Sequence, residues 1–445
     1  LSSAASDVYK RQDFVPNHTA RVYHSDVAPD GIDDFGAHDN IGMFFTPGNN
    51  YYYITNQQFA PDFDLGAEGD TPYVEFPAKA TGNDCFTAFC GKTDWYETVK
   101  LNYGVDPWQH KGYYDPIPDT WLRMLHILRF WASKGIDGFR CDMVFMVPVE
   151  FWHWAIPQVK ADYPGLIFIG EIYDVSLYLT FLDYCGFDYL YDKVNLYDTL
   201  VGIERNNVSA AQLTGCWQTV DGIGDRMLNF LENHDEQRIA SDFFASNPRK
   251  AIPALIVSAC MNVNPMMIYF GQEFGELGMD SEGFSGRDGR TTIFDYWSVD
   301  TIRRWRNGGK FDGKMLTDNQ KHLYGIYQRI LTLCNEEKAI SQGDFFDLMY
   351  ANINGWRFNE HKQYTFLRKY GRDLLLFVVN FDHISADLAI NIPSHAFDFL
   401  QIPQMEQYRA VDLLTGKEEN ISLLPYKATE ISVEGYSGKI LKIKL

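Results

Sequence analysis

Between residues 104 and 344 the chain repeats one pattern that few folds accommodate: a short apolar run that stops abruptly on charge. Residues 136–139 lead into Arg140 and Asp142, and 166–169 lead into Gly170 and Glu171. Further on, 227–231 runs into Asn233, His234 and Asp235, and 265–270 into Gly271, Gln272 and Glu273, with a weaker run at 187–190. Such short runs read as buried strands. Between them lie helical patterns, as where Trp121, Leu122, Met124, Leu125, Ile127 and Leu128 recur three and four apart. Strand and helix in alternation predict a parallel sheet. In a closed βα barrel the carboxyl ends of such strands converge on one face, which would gather these acids and histidines.

The flanks have a different texture. Residues 19–103 are dense in Gly, Asp, Asn and aromatics, including Tyr51, Tyr52 and Tyr53, and read as an irregular inserted subdomain. After about 345 the helical pattern stops, and 364–367, 374–380 and 440–445 read as strands of a C-terminal antiparallel β domain. A chain of 445 residues, 46% hydrophobic, can bury the large core these parts require. Its net charge of −20 disfavours nucleic acid and anionic membrane surfaces as partners. No apolar run approaches the roughly 20 residues of a membrane span. The seven cysteines form no CxxC pair, so ordinary thiols are expected, although Cys85 and Cys90 could pair in an exported protein. The compartment stays open.

Asp142, Glu171 and Asp235 stand at separate strand ends, and Arg140 lies two residues before Asp142, on the same face of the strand. A guanidinium so placed is expected to hold the carboxylate ionised. Glycoside hydrolysis with retention needs such a set: a nucleophilic carboxylate and a protonated acid flanking an oxocarbenium-like transition state. His18 and His234 could donate hydrogen bonds to sugar hydroxyls. Taken singly, each acid could be a helix cap and each histidine a structural residue.

Together these segments resemble four ordered blocks of the α-amylase family of glycoside hydrolases. DFVPNH at 13–18 is similar to the DxVxNH block and GFRCD at 138–142 to GFRxD. Gly170 with Glu171 is similar to the acid block, and residues 233–235 to NHD. The resemblance implies a (β/α)8 barrel with a subdomain inserted after its third strand and a C-terminal β domain. It implies Asp142 as nucleophile, Glu171 as general acid/base and Asp235 as transition-state stabiliser. Arg140 would set the nucleophile's ionisation, His18 and His234 would grip the sugar, and Asp13 would support them. A starch-derived α-glucan is the implied substrate, cleaved at α-1,4 bonds; a transglycosylase and a non-catalytic carbohydrate-binding homologue are the alternatives. SGRDGR at 285–290, followed by Trp297, resembles a segment of some members and could equally be a glycine-rich turn.

Two departures matter. Residues 99–102 resemble a calcium-binding block, but Lys100 stands where an aspartate is often found, and an ammonium cannot ligate calcium. Asn17 remains as a ligand, Phe145 and Met146 replace a common Lys-His pair, and no cofactor, calcium included, is expected at the usual place. The second departure is at the start. Residues 1–12 read as a non-native lead and 13–18 as the end of a third barrel strand. On the order of 70 residues should precede them, at ~30 per βαβ unit. A barrel lacking them would be open-edged, and the chain as written is expected to be unstable and inactive.

Overall fold

The computed structural model describes residues 9–445 except 27, 29, 30, 66, 69, 70 and 295. It divides into two compact units, Leu1–Leu190 and Tyr191–Leu445. Residues 1–8 of the expected lead lie outside the described residues. Arg11 and Gln12, assigned from sequence to that lead, stand in the first strand.

In the first unit, strands β1 (Arg11–Phe14), β2 (Gly138–Cys141) and β3 (Ile167–Gly170) pair in parallel in that order. Strand β4 (Tyr189–Tyr191) pairs parallel to β3 through Tyr189 and Leu190. Helix α1 (Asp119–Ala132) precedes β2, and α2 (Val149–Asp162) links β2 to β3. In α1 the residues Trp121, Met124, Leu125, Leu128 and Ala132 form the buried stripe, spaced as a helix requires. Asp119 in its first turn and Arg129 in its last complement the helix dipole. Gly138 opens β2 because no side chain fits there: a Cβ would lie 2.3 Å from the Ile167 carbonyl oxygen. The described residues of 19–103 form short two-stranded pieces, with Tyr51, Tyr52 and Tyr53 all buried.

In the second unit, β5 (Met227–Phe230) pairs parallel with β6 (Met266–Met267). The apolar run from 265 to 270 thus supplies a strand shorter than its length suggested. Helix α3 (Ile252–Cys260) lies between β5 and β6, and α4 (Asp318–Glu336) follows them. Then come β7 (Asp344–Asp347), β8 (Gln363–Tyr370), β9 (Asp373–Asn380), β10 (Ala386–Ile390), β11 (Met405–Asp412), β12 (Glu418–Leu423), β13 (Thr429–Val433) and β14 (Ser437–Lys444). Six of them form a sheet in the order β7-β8-β9-β14-β11-β12, while β10 pairs with β13. Leu255 and Ile256 of α3, Ile330 of α4, and Phe366, Phe377 and Leu441 of the sheet share one apolar core. That common core explains why the β domain starting near 345 is not a separate compact unit.

Candidate active site

Register positions the acids of the first unit. Asp13 of β1 pairs with Arg140 of β2, and Cys141 pairs with Gly170 of β3. Asp142 and Glu171 therefore lie one residue beyond the paired ends of neighbouring strands. Their backbones continue the ladder, Asp142 N–H donating to the Phe14 carbonyl at 2.9 Å and Glu171 N–H to that of Cys141 at 2.9 Å. The Arg140 guanidinium reaches three carboxylates: Asp142 at 2.8 Å, Glu171 at 2.8 Å and Asp13 at 3.1 Å.

The turn after Asp142 is strained. Met143 has left-handed backbone angles, φ 44° and ψ 46°, which cost a bulky residue about 1 kcal/mol or more. This conformation accompanies a Met143 N–H that donates to Glu171 Oε2 at 3.0 Å. Tyr173 donates its hydroxyl to Glu171 Oε1 at 2.6 Å. Glu171 is buried, with both oxygens held, so its orientation is fixed before any ligand arrives.

Asp142 departs from the expectation that Arg140 would keep it ionised. Its carboxyl is pushed up to about 7, by burial first and then by the charge of Glu171, against the opposing pull of Arg140. One guanidinium shared among three acids does not offset desolvation plus a neighbouring like charge.

His18 begins a short strand, His18–Ala20, that pairs antiparallel with Thr98–Lys100. Burial, then the Lys100 charge, pushes its imidazole down to about 4, so it is neutral near pH 7. The ring packs against Trp95 at 5.6 Å between centroids. Asn17 Nδ2 lies 3.3 Å from His18 Nδ1, and an amide nitrogen only donates, so Nδ1 accepts and the proton sits on Nε2. Lys100 is itself buried, its ammonium against Asn17, Asp84 and the Met146 carbonyl.

The second unit holds the remaining residues. His234 Nε2 lies 3.1 Å from Asp235 Oδ2. Asn233 folds the loop locally, its Oδ1 accepting from the backbone N–H of Asp235 at 2.9 Å and of Glu236 at 2.8 Å. Arg290 donates Nε to the Asp235 carbonyl at 2.8 Å, so the SGRDGR segment is a brace for this loop rather than a free turn. Beneath it, Glu232 and Arg238 form a wholly buried ion pair at 2.9 Å, and Ile239 N–H donates to the other Glu232 oxygen at 2.7 Å. Arg238 also donates to Thr291 and lies 4.2 Å from the Tyr269 ring centre.

Sequence reasoning missed Tyr173, Arg238 and the bracing role of Arg290. Only Arg290 carried a signal, its place in a recognisable motif; the others are defined by contacts made in space. All seven cysteines are free thiols. A cavity of about 820 Å³ in the second unit, lined by Trp217, Phe345 and Tyr350 among others, includes none of these site acids. Among the described residues, no helix is long and apolar enough to cross a membrane.

Comparison with known proteins extends this picture. The chain is 38% identical over 73 residues to an α-1,4-glucan:maltose-1-phosphate maltosyltransferase of Rhodospirillum rubrum, covering 16% of this chain and 11% of that one. It is 26% identical over 239 residues to α-amylase 3 of Dictyoglomus thermophilum, covering 49% of this chain and 46% of that one. The chain thus spans less than half the length of either relative. The crystal structure of the Geobacillus thermoleovorans α-amylase with acarbose superposes with a TM-score of 0.62 at 17% identity, over 99% of this chain and 78% of that one. That likeness shows the fold to be the α-amylase one, here a parallel α/β half-barrel with a C-terminal antiparallel β domain. The family model for the α-amylase catalytic domain matches residues 117–343, just over half of the chain, and the chain belongs to that family.

Proposed function

We propose that the chain carries the catalytic centre of a retaining glycoside hydrolase that cleaves α-1,4-glucosidic bonds of starch-derived glucans or maltooligosaccharides. The observation that carries this reading is Arg140 gripping Asp13, Asp142 and Glu171 together at the ends of adjacent strands. In the first step an Asp142 oxygen attacks the anomeric carbon while Glu171 protonates the departing glycosidic oxygen. Positive charge developing at the anomeric carbon favours ionised Asp142. An acceptor oxygen arriving at Glu171 favours the proton there. In the second step Glu171 takes a proton from water, whose oxygen displaces Asp142 and restores the original anomeric configuration. Asp235 stabilises the oxocarbenium-like transition state, and His18, as the neutral Nε2–H tautomer, donates to a sugar hydroxyl. His234 adds a second contact.

The same covalent intermediate can pass to a sugar acceptor in place of water. The relative named as a maltosyltransferase makes transfer the second reading. Maltooligosaccharides, alone and with maltose-1-phosphate, should be incubated with the protein and with its Asp142→Asn variant, with product anomers followed by NMR. Retained configuration, lost in the variant, supports the hydrolase. Lengthened glucans with phosphate released from maltose-1-phosphate favour transfer. Binding without any cleavage by folded protein overturns both readings.

A further inference from the structure

Lys100 occupies a place that the mechanism above does not use. Its ammonium lies 2.5 Å from Asn17 Oδ1, 2.8 Å from Asp84 Oδ1 and 3.2 Å from the Met146 carbonyl oxygen. An ammonium has three N–H donors, and here three oxygens receive them. The oxygens come from distant stretches of chain: the segment after β1, the inserted subdomain, and the turn four residues beyond Asp142. Asn17 is fully buried and Lys100 nearly so, while the Asp84 carboxylate that meets the ammonium is half exposed.

We propose that Lys100 is a covalently attached substitute for a structural cation, tying the inserted subdomain to the Asp142 turn and, through Asn17, presetting His18 as a hydrogen-bond donor. The geometry does not fit calcium. That ion takes six to eight oxygens at about 2.3–2.6 Å, whereas the three oxygens here lie 2.5, 2.8 and 3.2 Å from an ammonium nitrogen that occupies the place itself. Charge agrees, since one positive charge faces a single carboxylate, whereas a divalent ion would leave the set with an excess.

The presetting works through the amide of Asn17. With Oδ1 committed to Lys100, Nδ2 faces the Gly82 carbonyl at 2.7 Å and His18 Nδ1 at 3.3 Å. His18 must then carry its proton on Nε2. Lys100 is thus a positioning residue, acting on the ring through its neighbour. The use of that tautomer in sugar binding rests on the function proposed above; the replacement of the cation does not.

Calorimetry and ¹⁵N-histidine NMR test the proposal without any glucan turnover, so failure of the hydrolase reading leaves the test intact. The unsubstituted protein should melt at the same temperature in EDTA and in calcium chloride, and its His18 ring should show the Nε2–H pattern. Lys100→Met should melt about 5–15 °C lower in both solutions, with a mixture of His18 tautomers. Lys100→Asp should melt lower in EDTA and recover when calcium is added. Three results each overturn the proposal: a parent whose melting responds to EDTA or calcium, a Lys100→Asp variant that calcium leaves unchanged, and a Lys100→Met variant whose His18 tautomer matches the parent's.

Discussion

Replacing Arg140 with methionine should displace the pH–activity curve rather than simply lower it. The guanidinium stands 2.8 Å from Asp142 and from Glu171 and 3.1 Å from Asp13. At an effective dielectric of about 20, opposite charges centred ~4 Å apart attract by about 4 kcal/mol. That is about 3 pH units at 1.36 kcal/mol each. Residual solvent access to Asp142, whose side chain is 17% exposed, reduces this to the 1–3 units usual for such neighbours. Asp142 already sits at about 7 with Arg140 present, so its loss pushes the carboxyl higher. The acid limb of kcat/KM should move to higher pH by about 1–3 units, and at a fixed pH on that limb the rate should fall about 10- to 1000-fold. The assay is kcat/KM on maltooligosaccharides from pH 4 to 10, with circular dichroism confirming that the variant folds. An acid limb at the parent's position, with activity merely scaled down, refutes the reasoning.

Three further outcomes follow from the same contacts. Asp142 is harder to ionise folded than unfolded, so its contribution to stability is complete below its ordinary value of 3.8 and is lost as pH rises towards about 7. The loss is on the order of 4 kcal/mol, and Asp142→Asn should therefore out-melt the parent increasingly between pH 4 and 7; equal melting at pH 7 would count against the burial argument. Removing one partner of the Glu232–Arg238 pair, as in Arg238→Met, leaves a charge buried and should cost about 3–5 kcal/mol in urea unfolding. A loss below ~1 kcal/mol would mean that the charge finds water. Tyr173→Phe removes a hydrogen bond that holds Glu171, worth about 0.5–1.5 kcal/mol, and should lower kcat about 2- to 10-fold with little change in KM. An equal rise in KM would place Tyr173 in substrate binding instead.

Much of this molecule is local, and local features were legible. The stripe from Trp121 to Leu128 became α1, extended at both ends to Asp119–Ala132. The short apolar runs became β2, β3 and β5, and the weaker run at 187–190 became β4, because burial on both faces of a parallel strand leaves a continuous apolar signature. The motif residues Asp13, Arg140, Asp142 and Glu171 were each placed at strand ends by the sequence, and strand register brings those ends side by side.

What sequence left open depends on distance and solvent exclusion. Arg140 beside Asp142 suggested an ionised carboxylate, but burial and Glu171, which arrives from the next strand, reverse the balance. Residues 345–445 have their own composition, yet their sheet completes a core with α3 and α4, and no compositional boundary could show that. Lys100 read as a lost ligand, and only the folded chain places its ammonium among oxygens drawn from residues 17, 84 and 146. Residue type and spacing thus determined which groups are present and which strands carry them. Tertiary structure decided their charge states and partners, because both depend on groups distant in sequence and on the water that folding removes.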